Sequence, residues 1–165
     1  MIPYIMITGY SNSGKTLVTR GLILQLTAKG YRVATVKHAS KGYEVDVPGK
    51  DSWHFFREGA QQVVVVGQES YTRHIRVKAE PNLVDLLTSI QDVDIILVEG
   101  FKKYPGPKVQ VYREGYSSSK LPMTDEVIAL VEESCQDAEV PCFAIDELEQ
   151  LANFIISRFL KALIN

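Results

Sequence analysis

Gly9 and Gly14 bracket four small or polar residues, Tyr10-Ser11-Asn12-Ser13, and Lys15-Thr16-Leu17 follow at once. This spacing, G-x-x-x-x-G-K-T, is that of the phosphate-cradling P-loop. A triphosphate is a dense polyanion and needs donors that ask for no Cβ clearance. Gly9 allows the turn into the loop, and Gly14 allows the backbone to approach a phosphate closely. The N–H groups from Asn12 to Thr16 can point inward as an anion nest, and a helix starting there adds its positive end. Lys15 can reach the β- and γ-phosphates, and the Thr16 hydroxyl is placed to ligate Mg²⁺. Residues 9 to 17 are therefore the expected nucleotide-binding segment, with Lys15 also a catalytic candidate.

A magnesium shell also needs a carboxylate opposite the loop. The stretch "DIILVEG" offers two, Asp94 and Glu99, at opposite ends of one apolar run. Only Glu99 shares the P-loop's end of a parallel sheet. It is the expected acid, binding Mg²⁺ through water or orienting an attacking water. The polar stretch 37–49 resembles a switch element of the kind ordered by a γ-phosphate and Mg²⁺. Lys37, His38, Asp46, Lys50 and Asp51 are its candidates. Asp46 or Asp51 can supply a second metal ligand, although Asp51 equally suits a helix N-cap or first turn. Lys102, Lys103 and Lys108 form a small basic cluster that can meet an anionic group or simply be solvated. No guanine-reading "N-K-x-D" segment is present. Residues 131–134 and 140–146 are the nearest candidates for base contacts, and they do not choose between guanine and adenine. Arg57, Arg73, Arg76 and Arg113 are too scattered for an obvious phosphoryl-acceptor clamp.

These residues need rigid elements to position them. The run "YIMI" (4–7) reads as a strand before the glycine loop. From Lys15 to Lys29, Val18, Leu22 and Leu26 recur on one helical face, with Gly30 as the stop. "RVATV" (32–36), "VVVV" (63–66), "DIILV" (94–98) and "VIALV" (127–131) read as strands. "VVVV" is expected to be buried on both faces. "RHIRVK" (73–78) alternates like a half-exposed strand, and "KVQVY" (108–112) is a weaker one. Residues 50–60 and 81–91 read as helices. A last helix begins near Asp146 and Glu149, an expected capping-box variant. Leu148, Leu151, Ala152, Ile155, Phe159 and Leu163 line its apolar face, widened by Phe154, Ile156, Leu160 and Ile164. Core burial is the preferred reading of that stripe, with contact to another chain the alternative. The alternation predicts an α/β fold, a P-loop NTPase-type three-layer sandwich. Its sheet is mostly parallel, with helices on both faces and some antiparallel edge strands. Ligand contacts are then expected in the loops after residues 8, 36, 66 and 98.

The 165 residues suffice for one domain, expected over 1–165. A net charge of −2 carries no basic excess of the kind that grips nucleic acid. No apolar run approaches the length of a membrane span, and the N-terminal run reads as a strand rather than a signal peptide. Cys135 and Cys142 can pair, but two buried thiols in a reducing cytoplasm are the preferred expectation. The histidines His38, His54 and His74 are too scattered for a metal cluster.

Together, "GYSNSGKT", "VKH", "DVPGKDS", "EGA" and "ILVEGFK", in this order, resemble the molybdopterin-guanine dinucleotide biosynthesis protein B family. The match covers residues 4 to 102 well and the remainder more loosely. The resemblance implies a small, usually dimeric GTP-binding adapter with weak Mg²⁺-dependent GTPase activity, acting in the cytoplasm. Its implied partner is the enzyme that couples GMP to molybdopterin, so the pterin is engaged only indirectly. By the same resemblance, residues 9–16 bind phosphates, Glu99 is the Walker-B-type acid, and Asp46, Lys50 and Asp51 belong to the loop motif near the nucleotide. The family's "K-H" is often followed by further histidines, where this chain has Ala39-Ser40. A small-molecule or nucleotide kinase is the alternative reading of the same phosphate machinery.

Overall fold

The computed structural model describes residues 1–40, 42–117, 119–135 and 139–160. The chain divides into two compact units, Met1–His38 with Leu83–Asn165, and Ala39–Asn82.

The larger unit is built on six parallel strands: β1 (Tyr4–Thr8), β2 (Val33–Lys37), β5 (Ile95–Glu99), β6 (Lys108–Val111), β7 (Val127–Val131) and β8 (Cys142–Phe143). Their order is β2-β5-β1-β6-β7-β8. β1 therefore lies between β5 and β6, and successive strands are laid down first on one side of it and then on the other. That reversal is the switch point at which open α/β sheets bind ligands.

The side-chain alternation of the strands sorts the core into two layers. Ile5, Ile7, Ile95 and Leu97 face one way, against Val18, Leu22 and Leu26 of α1 (Lys15–Ala28) and Leu151, Ala152 and Ile155 of α4 (Leu148–Ile155). Met6, Ile96 and Val98 face the other way, against Leu83 and Leu87 of α3 (Leu83–Ser89). The larger unit thus has the expected three layers. The strand at 108–112 is stronger than its composition suggests, because all four residues of β6 are buried.

The chain's end corrects two expectations. The N-cap of α4 is Glu147, without a side-chain cap bond to the helix. Its carboxylate instead accepts the Ala144 N–H at 2.8 Å, stapling the preceding turn. No Asp146–Glu149 capping box forms. After Ile155 the helix loosens into a π-helical turn, Ile156–Leu160. The wider turn brings Leu160 fully into the core, leaving Phe159 partly buried. Core burial therefore accounts for the described part of the apolar stripe. Leu163 and Ile164 lie outside the described residues.

The second unit holds α2 (Asp51–Arg57) and an antiparallel ribbon of β3 (Gln62–Val66) and β4 (Tyr71–Ile75). This overturns the expectation that "VVVV" is buried on both faces. Val63 is buried, but Val64, Val65 and Val66 are exposed. β3 pairs only with β4 and is touched by the short helix α2, so it is not enclosed on both faces as a strand of a central sheet is. The loop after residue 66 is accordingly the ribbon's own turn, closed by Gly67 N–H to the Ser70 carbonyl at 2.8 Å. β3 is not a strand of the parallel sheet, so this loop is not one of that sheet's strand-end loops. Phe56 of α2 stacks on His74 of β4, with ring centroids 3.6 Å apart, and Arg76 lies 4.3 Å over the Phe56 ring.

Candidate functional site

The loop after β1 has backbone geometry suited to an anion. Asn12 has φ 65° and Gly14 φ 94°, both left-handed, and Gly14 is the N-cap of α1. Left-handed residues of this kind turn successive N–H groups toward one side. The first turn of α1 carries no acidic residue of its own, so its own side chains leave the positive end available. A Cβ on Gly9 would stand 2.4 Å from the Val111 carbonyl oxygen and 2.5 Å from Ser13 Oγ. The strand-to-loop turn therefore closes only around a bare α-carbon.

The charged side chains converge on this loop. Lys15 Nζ donates to the Tyr10 carbonyl at 2.6 Å. Burial holds the Lys15 ammonium below its ordinary range; Glu99 opposes that, and Lys102 and Lys37 reinforce it. Thr16 Oγ1 donates to Glu99 Oε1 at 3.1 Å. Lys37, at the end of β2, pairs with the same oxygen at 3.0 Å. Glu99 is buried despite its charge, and these two partners offset its desolvation. Its position follows from register: Ile7 pairs with Glu99, and Lys37 pairs with Glu99 from the other side. Asp94 stands at the opposite strand end, bound to the Arg32 backbone N–H at 2.7 Å and to its guanidinium at 2.9 Å. Those hydrogen bonds hold its carboxyl below the ordinary carboxylate range.

Among the switch candidates, His38 stays in the larger unit. Its N–H donates to the Glu99 carbonyl at 3.0 Å, and its ring lies 4.8 Å from that of Phe101. Asp46, Lys50 and Asp51 belong to the smaller unit. Asp46 Oδ1 accepts the Val47 N–H at 2.8 Å. Lys50 is the N-cap of α2, and Asp51 is its first-turn acid. The basic cluster is smaller than expected. Lys108 is buried and ion-paired with Glu126, because it opens an interior strand whose residues are all buried. Lys102 Nζ remains near the loop, 4.7 Å over the Tyr10 ring.

Two depressions adjoin the loop. One, of about 550 Å³, is lined by Ser11, Asn12, Gly14, Lys15, Thr16, Glu99 and Tyr116. The other, of about 100 Å³, runs from Ser13, Gly14 and Leu17 to the ends of β6 and β7, and Ile145 closes it. Sequence reasoning missed Tyr116, Tyr112 and Arg113, whose only signal is that they follow a strand ending beside the loop. A Cys135–Cys142 disulfide, with Cα atoms 5.6 Å apart, ties the segment after β7 to the start of β8. The pair of buried thiols expected from the sequence is thereby corrected. Cys135 is exposed and Cys142 half-buried.

The donor set fits a polyanion. The left-handed turn at Asn12 and Gly14, a half-buried ammonium whose one hydrogen bond goes to a neutral carbonyl, and Ser13 Oγ, which is buried without a partner among the described residues, are donors an anion would satisfy. Thr16 and Glu99 offer two oxygens to a hard cation. Among the described residues no group of three or more His, Cys, Asp or Glu side chains could hold a metal by itself. A cation here would therefore depend on phosphate oxygens and water, as Mg²⁺ usually does.

Residues 4–133 match the family described as molybdopterin guanine dinucleotide synthesis protein B, or MobB. The molybdopterin-guanine dinucleotide biosynthesis adapter protein of Haemophilus influenzae is 35% identical over 158 residues, covering 93% of this chain and 88% of that one. Its counterpart in Escherichia coli is 33% identical over 162 residues, covering 94% and 93%. The crystal structure of Bacillus subtilis MobB superimposes with a TM-score of 0.75 at 23% identity, covering 97% of this chain and 99% of that one. At that identity the superposition speaks for the fold. No helix among the described residues is long and apolar enough to cross a membrane.

Proposed function

This chain belongs to the MobB family, and from that premise we propose that it is a GTP-binding adapter of molybdopterin guanine dinucleotide biosynthesis. It assists the enzyme that couples GMP to molybdopterin, engages the pterin only through that enzyme, and works in the cytoplasm. The observation that carries the nucleotide reading is the Thr16–Glu99–Lys37 cluster beside an acceptor-poor loop. Residues 9–17 would hold the phosphates, with the Lys15 ammonium as the cation for the β- and γ-oxygens, and Thr16 and Glu99 would hold the magnesium. Bound Mg²⁺ would supply charge neutralisation between the terminal phosphates. Glu99 can hold a water by hydrogen bonding, but it is already engaged by Thr16 and Lys37. That competition favours slow hydrolysis over rapid turnover.

The dimer proposed for this family finds support in the ribbon. Val64, Val66 and Tyr71 are exposed at 53%, 75% and 71%, and a two-stranded ribbon alone is marginal in water. Exposed apolar surface of this kind marks an interaction site.

Titration of Mg–GTP against Mg–ATP, with phosphate release followed in parallel, tests the nucleotide reading. Micromolar GTP binding with slow release supports it, and Lys15→Ala should abolish binding while circular dichroism is unchanged. Fast, acceptor-dependent phosphoryl transfer would establish a kinase instead. Co-purification with the guanylyl-transferring enzyme tests the adapter role, and sedimentation of Val64→Lys tests the dimer.

A further inference from the structure

We propose that the smaller depression beside the loop is the purine pocket, and that Glu133 is the residue that selects guanine. The proposal rests on the GTP reading for the position of the phosphates. A nucleoside triphosphate is one connected molecule, so its base must fall about one sugar away from the cradle. The smaller depression shares Gly14 with the phosphate-side one and begins at Ser13, whose buried hydroxyl has no partner among the described residues. It then extends away from Lys15 and Glu99.

Its walls suit a flat heterocycle. Leu17, Val111 and Ile145 line it with apolar surface, and Leu17 and Ile145 remain 50% and 39% exposed. A purine ring would cover such surface. The polar edge is acidic. Glu132 and Glu133 follow β7 directly, and the Glu132 N–H is fixed to the Phe143 carbonyl at 3.1 Å. Guanine presents its ring N1–H and exocyclic amine as adjacent donors, which the two oxygens of a carboxylate accept together. Adenine places an unprotonated ring nitrogen beside its amine, so one carboxylate oxygen would face a lone pair.

The two glutamates are not equivalent. Glu132 is buried and committed to an ion pair with Lys120, which ties down the segment after β6. Glu133 is exposed, and its ion pair with Arg113 is long, with Nε 3.7 Å from Oε1 and so beyond hydrogen-bond distance. Of the two glutamates, Glu133 is the one whose oxygens can still accept hydrogen bonds from a base. Arg113 stacks over Tyr116 at 3.8 Å, which holds it at the pocket's rim. Glu132 is thus a positioning residue and Glu133 the specificity residue.

Mg–GTP, Mg–ATP, Mg–XTP and inorganic tripolyphosphate are titrated against the parent, Glu133→Gln and Glu132→Gln. Glu133 is exposed, so its amide variant should fold normally. Glu133→Gln should weaken GTP about tenfold to a hundredfold and strengthen XTP, because xanthine carries a carbonyl where guanine has its amine. Tripolyphosphate binding should not change. Glu132→Gln should weaken GTP and XTP alike, without inverting the preference. If the parent binds GTP and Glu133→Gln leaves the GTP-to-XTP ratio unchanged, the pocket assignment is wrong while the GTP reading stands. A parent that binds tripolyphosphate but neither purine nucleotide overturns both.

Discussion

Replacing Gly9 by alanine probes the cradle through a single methyl group. Gly9 has φ 153°, and a Cβ there would meet the Val111 carbonyl oxygen at 2.4 Å. Ordinary carbon–oxygen contacts lie near 3.3–3.6 Å, so the gap must open by about 1 Å. Val111 ends a buried strand, and its carbonyl cannot rotate aside as a side chain would. The loop must therefore yield, and Ser13, whose Oγ would stand 2.5 Å from the new methyl, moves with it. Overpacking costs about 1–3 kcal/mol and the unfavourable backbone about 1–2 kcal/mol, for a summed loss of about 2–5 kcal/mol of stability. A displacement of about 1 Å takes N–H donors out of hydrogen-bond range. Losing two charge-assisted bonds costs about 3–6 kcal/mol, or roughly 10²- to 10⁴-fold in affinity. Calorimetric titration with Mg–GTP and thermal unfolding without nucleotide measure the two effects separately. Gly30→Ala is the control: Gly30 has φ 86°, but nothing lies within 4 Å of its added Cβ. It should cost about 1 kcal/mol of stability and leave affinity intact. Parent-like GTP binding by Gly9→Ala would refute the crowding argument, as would equal losses of affinity in the two variants.

Leu97, fully buried in the central sheet, should lose about 2–5 kcal/mol on replacement by alanine, seen as a lower denaturant midpoint. Asp94 has its carboxyl depressed by Arg32. Its contribution is therefore complete above the ordinary carboxylate range and lost as pH falls through the depressed value. Thermal midpoints of Asp94→Asn should accordingly lie below the parent's at neutral pH and converge with them in acid. The Cys135–Cys142 bridge spans a sequence separation of 7, for which loop-closure entropy gives about 2 kcal/mol. Reduction, or Cys142→Ser, should lower the melting midpoint by a corresponding amount. Because the bridge ties the end of β7 to β8, it should also weaken GTP binding more than tripolyphosphate binding. Equal effects on both ligands would detach the bridge from the purine pocket.

Much of the site can be read from the chain because it is local. Residues 9–17 are contiguous, and their glycine spacing follows from how a backbone wraps an anion. Glu99 could be told from Asp94 because one short buried strand separates them, and parallel strands put all their carboxyl ends on one side. The Lys37–Glu99 pair could not be read this way, because it depends on β2 and β5 becoming neighbours in the sheet. Burial was harder to read. A run of valines shows that the residues favour a pleated conformation, whereas enclosure depends on what packs against them. β3 found only β4, so Val64, Val65 and Val66 face outward. Lys108 shows the converse, a lysine carried inward by its strand and neutralised by Glu126.

By itself, then, the sequence determined the glycine loop between β1 and α1, the position of Glu99 at the end of β5, and a parallel sheet to hold them, all consequences of short-range spacing and backbone stereochemistry. Tertiary structure alone decided the rest. It set Thr16 within 3.1 Å of Glu99 across 83 residues of chain. It joined Cys135 to Cys142 and used a π-helical turn to bring Leu160 into the core. It also closed the depression from segments near residues 14, 112, 132 and 145. Contacts between such distant segments depend on which strands become neighbours in the sheet, and that is settled when the whole core packs.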